Sequence, residues 1–328
     1  MSCICVLVTG GAGYIGSHVC KALATANFQV VAVDNLSTGH QKAAKWGVLE
    51  VCDIRDTARL KEIFASHKPH AVMHFAASAY VHEAMLHPLK YYSNNVAGTL
   101  SLLQAATAAG VEAFILASTC ATYGIPTHTP IHEGMPTAPV NPYGETKLAC
   151  ERLLHWTEQA HGLKWMALRY FNVAGADPEG EIGELHDPET HLIPLALRAA
   201  AGTGPALRVF GDDYPTLDGT AIRDYIHVAD LTNAHVKALK HLLDGRPSQF
   251  INLGTGQGYS VRQVIDSVQK VTRKTVPYQI APRRVGDPPE LWADPGKASQ
   301  LLGWQACHTR LDDIIASAWV WEQRLASE

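Results

Sequence analysis

Tyr143 and Lys147 stand one helical turn apart in Pro142-Tyr143-Gly144-Glu145-Thr146-Lys147, so they share a face if Pro142 opens a helix running to about His161. That pairing can make a base. A free phenol titrates near pH ~10, and an ammonium beside it favours the phenolate, which can take a proton from an alcohol near neutrality. Alone, this spacing is common on solvated helix faces, so its weight depends on its surroundings.

The decisive neighbour is near the start of the chain. Val6-Leu7-Val8-Thr9 leads into Gly10-Gly11-Ala12-Gly13-Tyr14-Ile15-Gly16, with glycines at a G-x-x-G-x-x-G spacing between an apolar strand and a helix beginning near Tyr14. Bare amides at a helix N-terminus suit a pyrophosphate. Asp34 closes the next strand at the distance where an acid hydrogen-bonds the adenosine ribose hydroxyls, and it would repel a 2′-phosphate. The expected cofactor is therefore NAD, not NADP, with weaker support from Asp53 after the third strand. An oxidised nicotinamide beside Tyr143 would favour the phenolate further.

These groups need a scaffold. Apolar runs at Cys5–Val8, Val30–Val33, Val48–Cys52, Ala71–Phe75, Phe114–Ala117 and Trp165–Arg169 alternate with helical stretches, which predicts a parallel sheet. The runs are continuous, as expected when helices cover both faces. The fold class is α/β: a Rossmann-like, doubly wound parallel sheet with a smaller C-terminal substrate-binding domain. After Asn172 the chain turns to loops such as Gly175–Pro188 and Gly202–Pro205, with helices at Leu192–Ala201 and Val261–Val271. This places an NAD-binding domain over 1–173 and a substrate domain over 174–328. A segment near 225–253, with a strand at Phe250–Leu253, is expected to return to the first domain.

Composition narrows the classes. With 328 residues, 47% hydrophobic and 18% charged, the chain reads as an ordinary soluble protein able to bury a large core. A formal charge of -4 leaves no basic footprint for nucleic acid. Cys3, Cys5, Cys20, Cys52, Cys120, Cys150 and Cys307 form no C-x-x-C pair, which suggests reduced thiols in the cytoplasm. Met1-Ser2-Cys3 passes at once into the first strand, too short for a secretory leader, and no apolar run reaches membrane length. No membrane is expected as a partner. Among the 17 histidines, His82 and His87 resemble a zinc helix, but residues at i and i+5 diverge, so no metal site is expected.

Together these segments resemble the extended short-chain dehydrogenase/reductase family, and within it the UDP-galactose 4-epimerases, over essentially the whole chain. The matching segments include Gly10–Gly16, Asp34-Asn35-Leu36, Asp53-Ile54, His74-Phe75-Ala76, Asn94-Asn95-Val96, Pro142–Lys147, Arg169–Asn172, Arg223–Val228 and Arg283–Asp287. The resemblance implies NAD contacts at Gly10, Gly13, Tyr14, Ile15, Gly16, Asp34, Asn35, Asp53, Ile54, Phe75, Ala76, Ala77, Asn95, Tyr143, Lys147 and Phe171. It makes Thr119 the hydroxyl beside the sugar O4, completing a catalytic set with Tyr143 and Lys147. For the UDP-hexose it implies Asn172, His191, Leu192, Arg208, Val209, Phe210, Arg223, Arg284 and Asp287, with Leu291 as a gate beside the sugar 2-substituent. Arginine forks suit a diphosphate.

The implied reaction oxidises C4, lets a 4-keto sugar turn, and returns the hydride to its other face. Related dehydratases carry acids just after the Thr119 position, whereas this chain has Cys120 and Ala121, which favours epimerisation. Two positions depart from the family. Ala79 stands in a segment where relatives often have glycine and then lysine, and His191 where some have Asn. A homodimer through helices Tyr92–Ala109 and Tyr143–His161 is expected by analogy. The alternatives are another nucleotide-sugar enzyme, such as a dehydratase, decarboxylase or pentose epimerase, and a silent NAD-binding scaffold. A scaffold has no need of Thr119, Tyr143 and Lys147.

Overall fold

The apolar runs form one seven-stranded sheet in the computed structural model, which describes residues 4–284 and 286–327. Cys3 and the Met1-Ser2-Cys3 start lie outside the described residues. The strand order across the sheet is Gln249–Leu253, Lys164–Tyr170, Ala113–Thr119, Ala71–His74, Cys5–Thr9, Gln29–Asp34, Val48–Val51. The strands from Cys5 to Thr119 pair in parallel. Cys5–Thr9, Ala71–His74 and Ala113–Thr119 bury every residue, which is why their sequences are continuously apolar. Val48–Val51 lies at the edge and is partly exposed.

The winding reverses between Cys5–Thr9 and Ala71–His74, whose last residues, Thr9 and His74, lie side by side. In open α/β sheets that reversal leaves a crevice at the strand ends where ligands bind. On one side of the sheet Leu60, Phe64, Leu102, Leu154 and Trp165 pack with Leu7, Val72 and Phe114. Each such side chain contributes roughly 1.5–3 kcal/mol by leaving water.

Helix Pro142–His161 starts after Asn141, whose Oδ1 accepts from Gly144 N at 2.9 Å, and stops at Gly162 in the left-handed conformation. Its inward stripe carries Lys147, Leu148, Glu151 and Leu154. The single helix expected over Tyr92–Ala109 differs. A π-helical turn, Tyr92–Ala97, precedes helix Gly98–Ala108. The wider turn carries Asn95 into the interior, where it bonds Ser78 N and O at 2.8 and 3.0 Å and Thr146 Oγ1 at 3.0 Å.

The chain divides into two compact units. One comprises residues up to Gly124, Pro136–Arg169 and Thr232–Ile251; the other comprises Ile125–Met135, Tyr170–Leu231 and residues from Asn252 on. In the second unit, helices Leu192–Ala201, Val261–Thr272 and Leu311–Leu325 enclose a core including Ile193, Leu197, Val264, Val268 and Ile314. The buried Asp224 carboxylate there accepts from Thr255 N and Oγ1, Gly256 N and Ala293 N at 2.7–3.2 Å, tying three segments together. Among the described residues no helix is long and apolar enough to cross a membrane.

The glycine turn closes on itself at Gly16, where a Cβ would fall 2.0 Å from the Gly10 carbonyl oxygen. Gly16→Ala is expected to cost about 1–3 kcal/mol as the turn is forced open. Denaturant melts would read this as a lower midpoint at unchanged slope, and a variant melting with the parent would show that the turn relaxes freely.

Candidate active site

The first unit builds a cradle at the sheet's switch point. Gly10 has φ +71°, and a Cβ there would stand 2.6 Å from Ala76 N, so only glycine lets the two strand ends approach. Gly13 precedes helix Tyr14–Thr25, which has no side-chain cap and no acid in its first turn. Its partial positive end is therefore not neutralised locally. Asp34 is buried at the end of its strand, with Oδ2 accepting from Ala12 N at 3.0 Å and Oδ1 from Leu36 N at 2.8 Å. Asn35 Nδ2 reaches Asp53 Oδ2 at 3.2 Å. Hydrogen bonds from Arg55 hold the Asp53 carboxyl well below the usual range. Ile54 is buried, and Phe75, Ala76 and Ala77 follow strand Ala71–His74. A turn too tight for side chains, a helix end and an aimed acid fit a dinucleotide.

The sugar-side candidates share this unit. Thr119 ends strand Ala113–Thr119, and its Oγ1 accepts from Ala121 N at 3.1 Å. Burial pushes the Tyr143 phenol up to about 12, outweighing the Thr119 hydroxyl beside it, which favours the phenolate. Lys147 is buried one turn on, with Nζ donating to Ala117 O at 2.8 Å, and burial holds its ammonium below the ordinary range. The protein alone thus raises the phenol, contrary to the sequence expectation, because burial dominates and Lys147 bonds a carbonyl. A positive charge brought beside the phenol would draw it down again. Nearby His74 bridges Thr9 Oγ1 and Thr99 Oγ1 at 2.6 and 2.9 Å, and burial pushes it down to about 3, keeping it neutral.

One buried ion pair holds these groups in register. Glu151, two turns after Tyr143, takes Arg169 Nε on Oε1 at 2.8 Å and a terminal guanidinium nitrogen on Oε2 at 2.6 Å. Their side chains are 1% and 4% exposed. Ser118 Oγ also donates to Glu151 Oε1 at 2.6 Å, and Arg169 donates to Tyr123 OH at 2.9 Å. The guanidinium lies over the Phe250 and Tyr123 rings at 4.6 and 4.9 Å. Burial opposes the Arg169 charge, but its bonds to Glu151 win and raise its pKa.

The second unit gathers the remaining candidates. Phe210 has Arg284 over its ring at 4.0 Å and Arg208 at 5.0 Å. Arg223 ion-pairs with Asp287 and donates to Ile222 O at 2.7 Å. Burial, with Arg208 and Arg223 nearby, holds the Arg284 pKa below its ordinary value despite Asp287. Cations that repel one another around an aromatic ring favour an anion. Leu291 is buried and pairs with Arg223 between strands Glu290–Leu291 and Ile222–Arg223. Asn172 N donates to Asp224 O at 3.0 Å, Phe171 is buried, and Leu192 opens its helix. Val209 faces the core, so its side chain is turned away from Arg208 and Phe210. His191 Nδ1 lies 2.5 Å from Glu184 Oε1.

Residues 6–254 match the NAD dependent epimerase/dehydratase family. The chain belongs to that family. It is 52% identical to a UDP-glucose 4-epimerase of Rhizobium meliloti over 97% of both chains, and 48% identical to one of Lacticaseibacillus casei over 97% of this chain and 96% of the other. Among solved structures, UDP-glucose 4-epimerase from Brucella ovis in complex with NAD superposes with a TM-score of 0.94 at 52% identity, covering 96% of this chain and 97% of that one. The enzyme from Bifidobacterium longum in complex with NAD+ and UDP gives 0.94 at 38% identity, covering 98% of each.

The sequence of this epimerase/dehydratase family member assigned His74 to a matching segment without a role, and gave no place to Glu151 or to the trio Glu184, His186 and Glu189. Glu151 had a signal, because it extends the Tyr143 and Lys147 face by one more turn. Glu151→Ala leaves Arg169 buried without its partner and is expected to cost about 3–5 kcal/mol. A chemical melt would measure this, and a loss under about 1 kcal/mol would mean that water or Tyr123 compensates.

Proposed function

We propose that the chain interconverts UDP-galactose and UDP-glucose by NAD-dependent inversion of sugar C4, with Thr119, Tyr143 and Lys147 as the catalytic residues. The observation that carries this reading is the half-buried Tyr143 beside Thr119, followed one turn later by buried Lys147. Relatives bearing the name UDP-glucose 4-epimerase over nearly the whole chain support it.

When bound, NAD supplies the hydride acceptor and donor for C4 and a positive charge that draws the phenol down. Amides of Tyr14, Ile15 and Gly16 would hold its pyrophosphate, with Gly13, whose own amide bonds Gly10 O at 3.1 Å, leaving room beside them; Asp34 with Asn35 would hold its ribose, and Asp53, Ile54, Phe75, Ala76, Ala77, Asn95 and Phe171 its remaining surface. Thr119 orients the sugar O4. Tyr143 takes the O4 proton as C4 is oxidised and returns it to O4 as C4 is reduced, so neither proton nor charge is lost. Lys147 supplies the cationic field on the same helix face. Arg208, Arg223 and Arg284 take the diphosphate, with Asn172, Leu192 and Phe210 around the nucleotide. Strong binding of this unreacting part leaves the hexose free to turn. Cys120 and Ala121 offer no acid for water elimination, which favours epimerisation over dehydration.

In this reading the first compact unit serves the cofactor and the second the nucleotide. The free cysteines among the described residues, five of them buried, support a reducing compartment, the cytoplasm. Exposed Tyr92, Leu100 and Trp156 on the helices expected at the dimer interface support a homodimer.

Incubation with UDP-galactose should yield UDP-glucose without net redox change, and its absence from the products would overturn the reading. Tyr143→Phe should retain NAD and fold while losing about 10²–10⁴-fold in kcat, so near-normal turnover would remove Tyr143 from the chemistry. Trp156, 69% exposed, should become covered in the dimer. Trp156→Glu is therefore expected to shift the protein to monomer in light scattering, and an unchanged mass would place the interface elsewhere.

A further inference from the structure

Residues 184–191 bring four metal-ligating side chains to one point in the second unit, and the proposed chemistry uses none of Glu184, His186 and Glu189. One ligand atom each from Glu184, His186, Glu189 and His191 lies within 4.8 Å of the other three. His186 Nδ1 is 3.1 Å from Glu184 Oε1 and 3.8 Å from Glu189 Oε2. His191 Nδ1 is 2.5 Å from Glu184 Oε1 and 3.3 Å from Glu189 Oε1. A tetrahedral zinc ion with bonds of about 2.0–2.2 Å sets its ligand atoms roughly 3.4 Å apart. The separations scatter about that value, with Glu189 meeting His186 through Oε2 and His191 through Oε1, so side-chain rotations would bring one atom from each residue onto an ion.

Charge and hydrogen bonding point the same way. The Glu184 and Glu189 side chains are 6% and 2% exposed, and buried carboxylates need cations. Arg198 reaches Glu189 Oε2 only at 4.0 Å and lies closer, at 3.2 Å, to Glu322. Glu189 Oε1 accepts from Thr190 N and His191 N at 2.7 and 2.9 Å, whereas its Oε2 is buried with no hydrogen-bond partner. A metal ion among these four residues would satisfy that oxygen.

The surroundings are closely packed. Trp321 Nε1 donates to Glu184 O at 2.8 Å, and the Trp321 ring stands 2.4 Å from where a Cβ on Gly183 would project. His191 directly precedes helix Leu192–Ala201, whose residues Ile193 and Leu197 sit in the core beside helix Leu311–Leu325. The His191 side chain is 46% exposed, which gives an ion a way in.

We propose that Glu184, His186, Glu189 and His191 form a four-ligand site for one divalent transition-metal ion, zinc foremost, which ties this loop to helix Leu192–Ala201. Two imidazoles with two carboxylates suit zinc and its neighbours in the first transition row better than magnesium or calcium, which prefer all-oxygen sets. Four protein ligands leave no open position, so the ion is structural and takes no part in hydride transfer. His191, which the family resemblance sets beside the UDP-hexose, is turned to Glu184 here, and zinc binding can be tested without the epimerase reaction.

The test uses the full chain without an affinity tag, stripped with a chelator and then titrated with Zn2+ against a chromophoric competitor. One zinc per chain is expected to remain through gel filtration, measured by plasma mass spectrometry, and to raise the Tm. Co2+ in its place should give the intense visible absorption of a four-coordinate ion. His186→Asn and Glu189→Gln, chosen to keep volume, should each weaken zinc binding by about tenfold or more. Failure of the parent protein to hold zinc, or a weak six-coordinate cobalt spectrum, would overturn the proposal. So would equal zinc affinity in both variants, since the ion would then sit on other histidines.

Discussion

The buried pairing of Glu151 with Arg169 is the constraint on which the candidate site depends. It joins helix Pro142–His161 to strand Lys164–Tyr170, and through Ser118 it reaches the strand that ends at Thr119. Removing two charges from water is costly, and the cost is recovered only where geometry and further hydrogen bonds are good. Here the carboxylate oxygens take three donors and the guanidinium lies over two rings. A small shift of the helix would break several of these contacts together, so Tyr143 and Lys147 keep one position relative to Thr119.

The same burial that fixes the helix sets its chemistry. Desolvation raises the Tyr143 phenol and lowers the Lys147 ammonium, so the site disfavours charge on both until a partner arrives. His74, held neutral between two threonines, adds hydrogen bonds without adding charge. A phenol that gives up its proton only when a cation is delivered fits the proposed reaction, in which the phenolate takes the O4 proton and then returns it.

The second unit solves a different problem, because its loops are long and its strands are short. Buried carboxylates serve as tie points there. Asp224 gathers backbone amides from two loops, and Glu184 and Glu189 gather two histidines at the entrance to helix Leu192–Ala201. Both arrangements place an acid where apolar packing alone could not define a loop's path.

Local sequence determined the elements and the outline of the cradle. Apolar runs between helical stretches marked the strands of a parallel sheet, the Gly10–Gly16 spacing marked a close backbone turn, and Pro142 marked the start of the helix that carries Tyr143 and Lys147. These signals are short-range, so they survive without a fold. Tertiary structure decided what depends on burial and on partners distant in the chain. The π turn at Asn95 answers to Ser78 and Thr146, Glu151 has meaning only opposite Arg169, and Val209 turns inward while Arg208 and Phe210 do not. The direction of the Tyr143 shift was also beyond the sequence. It is the balance of desolvation against hydrogen bonding, and desolvation is a property of everything packed around a group, which no local pattern encodes.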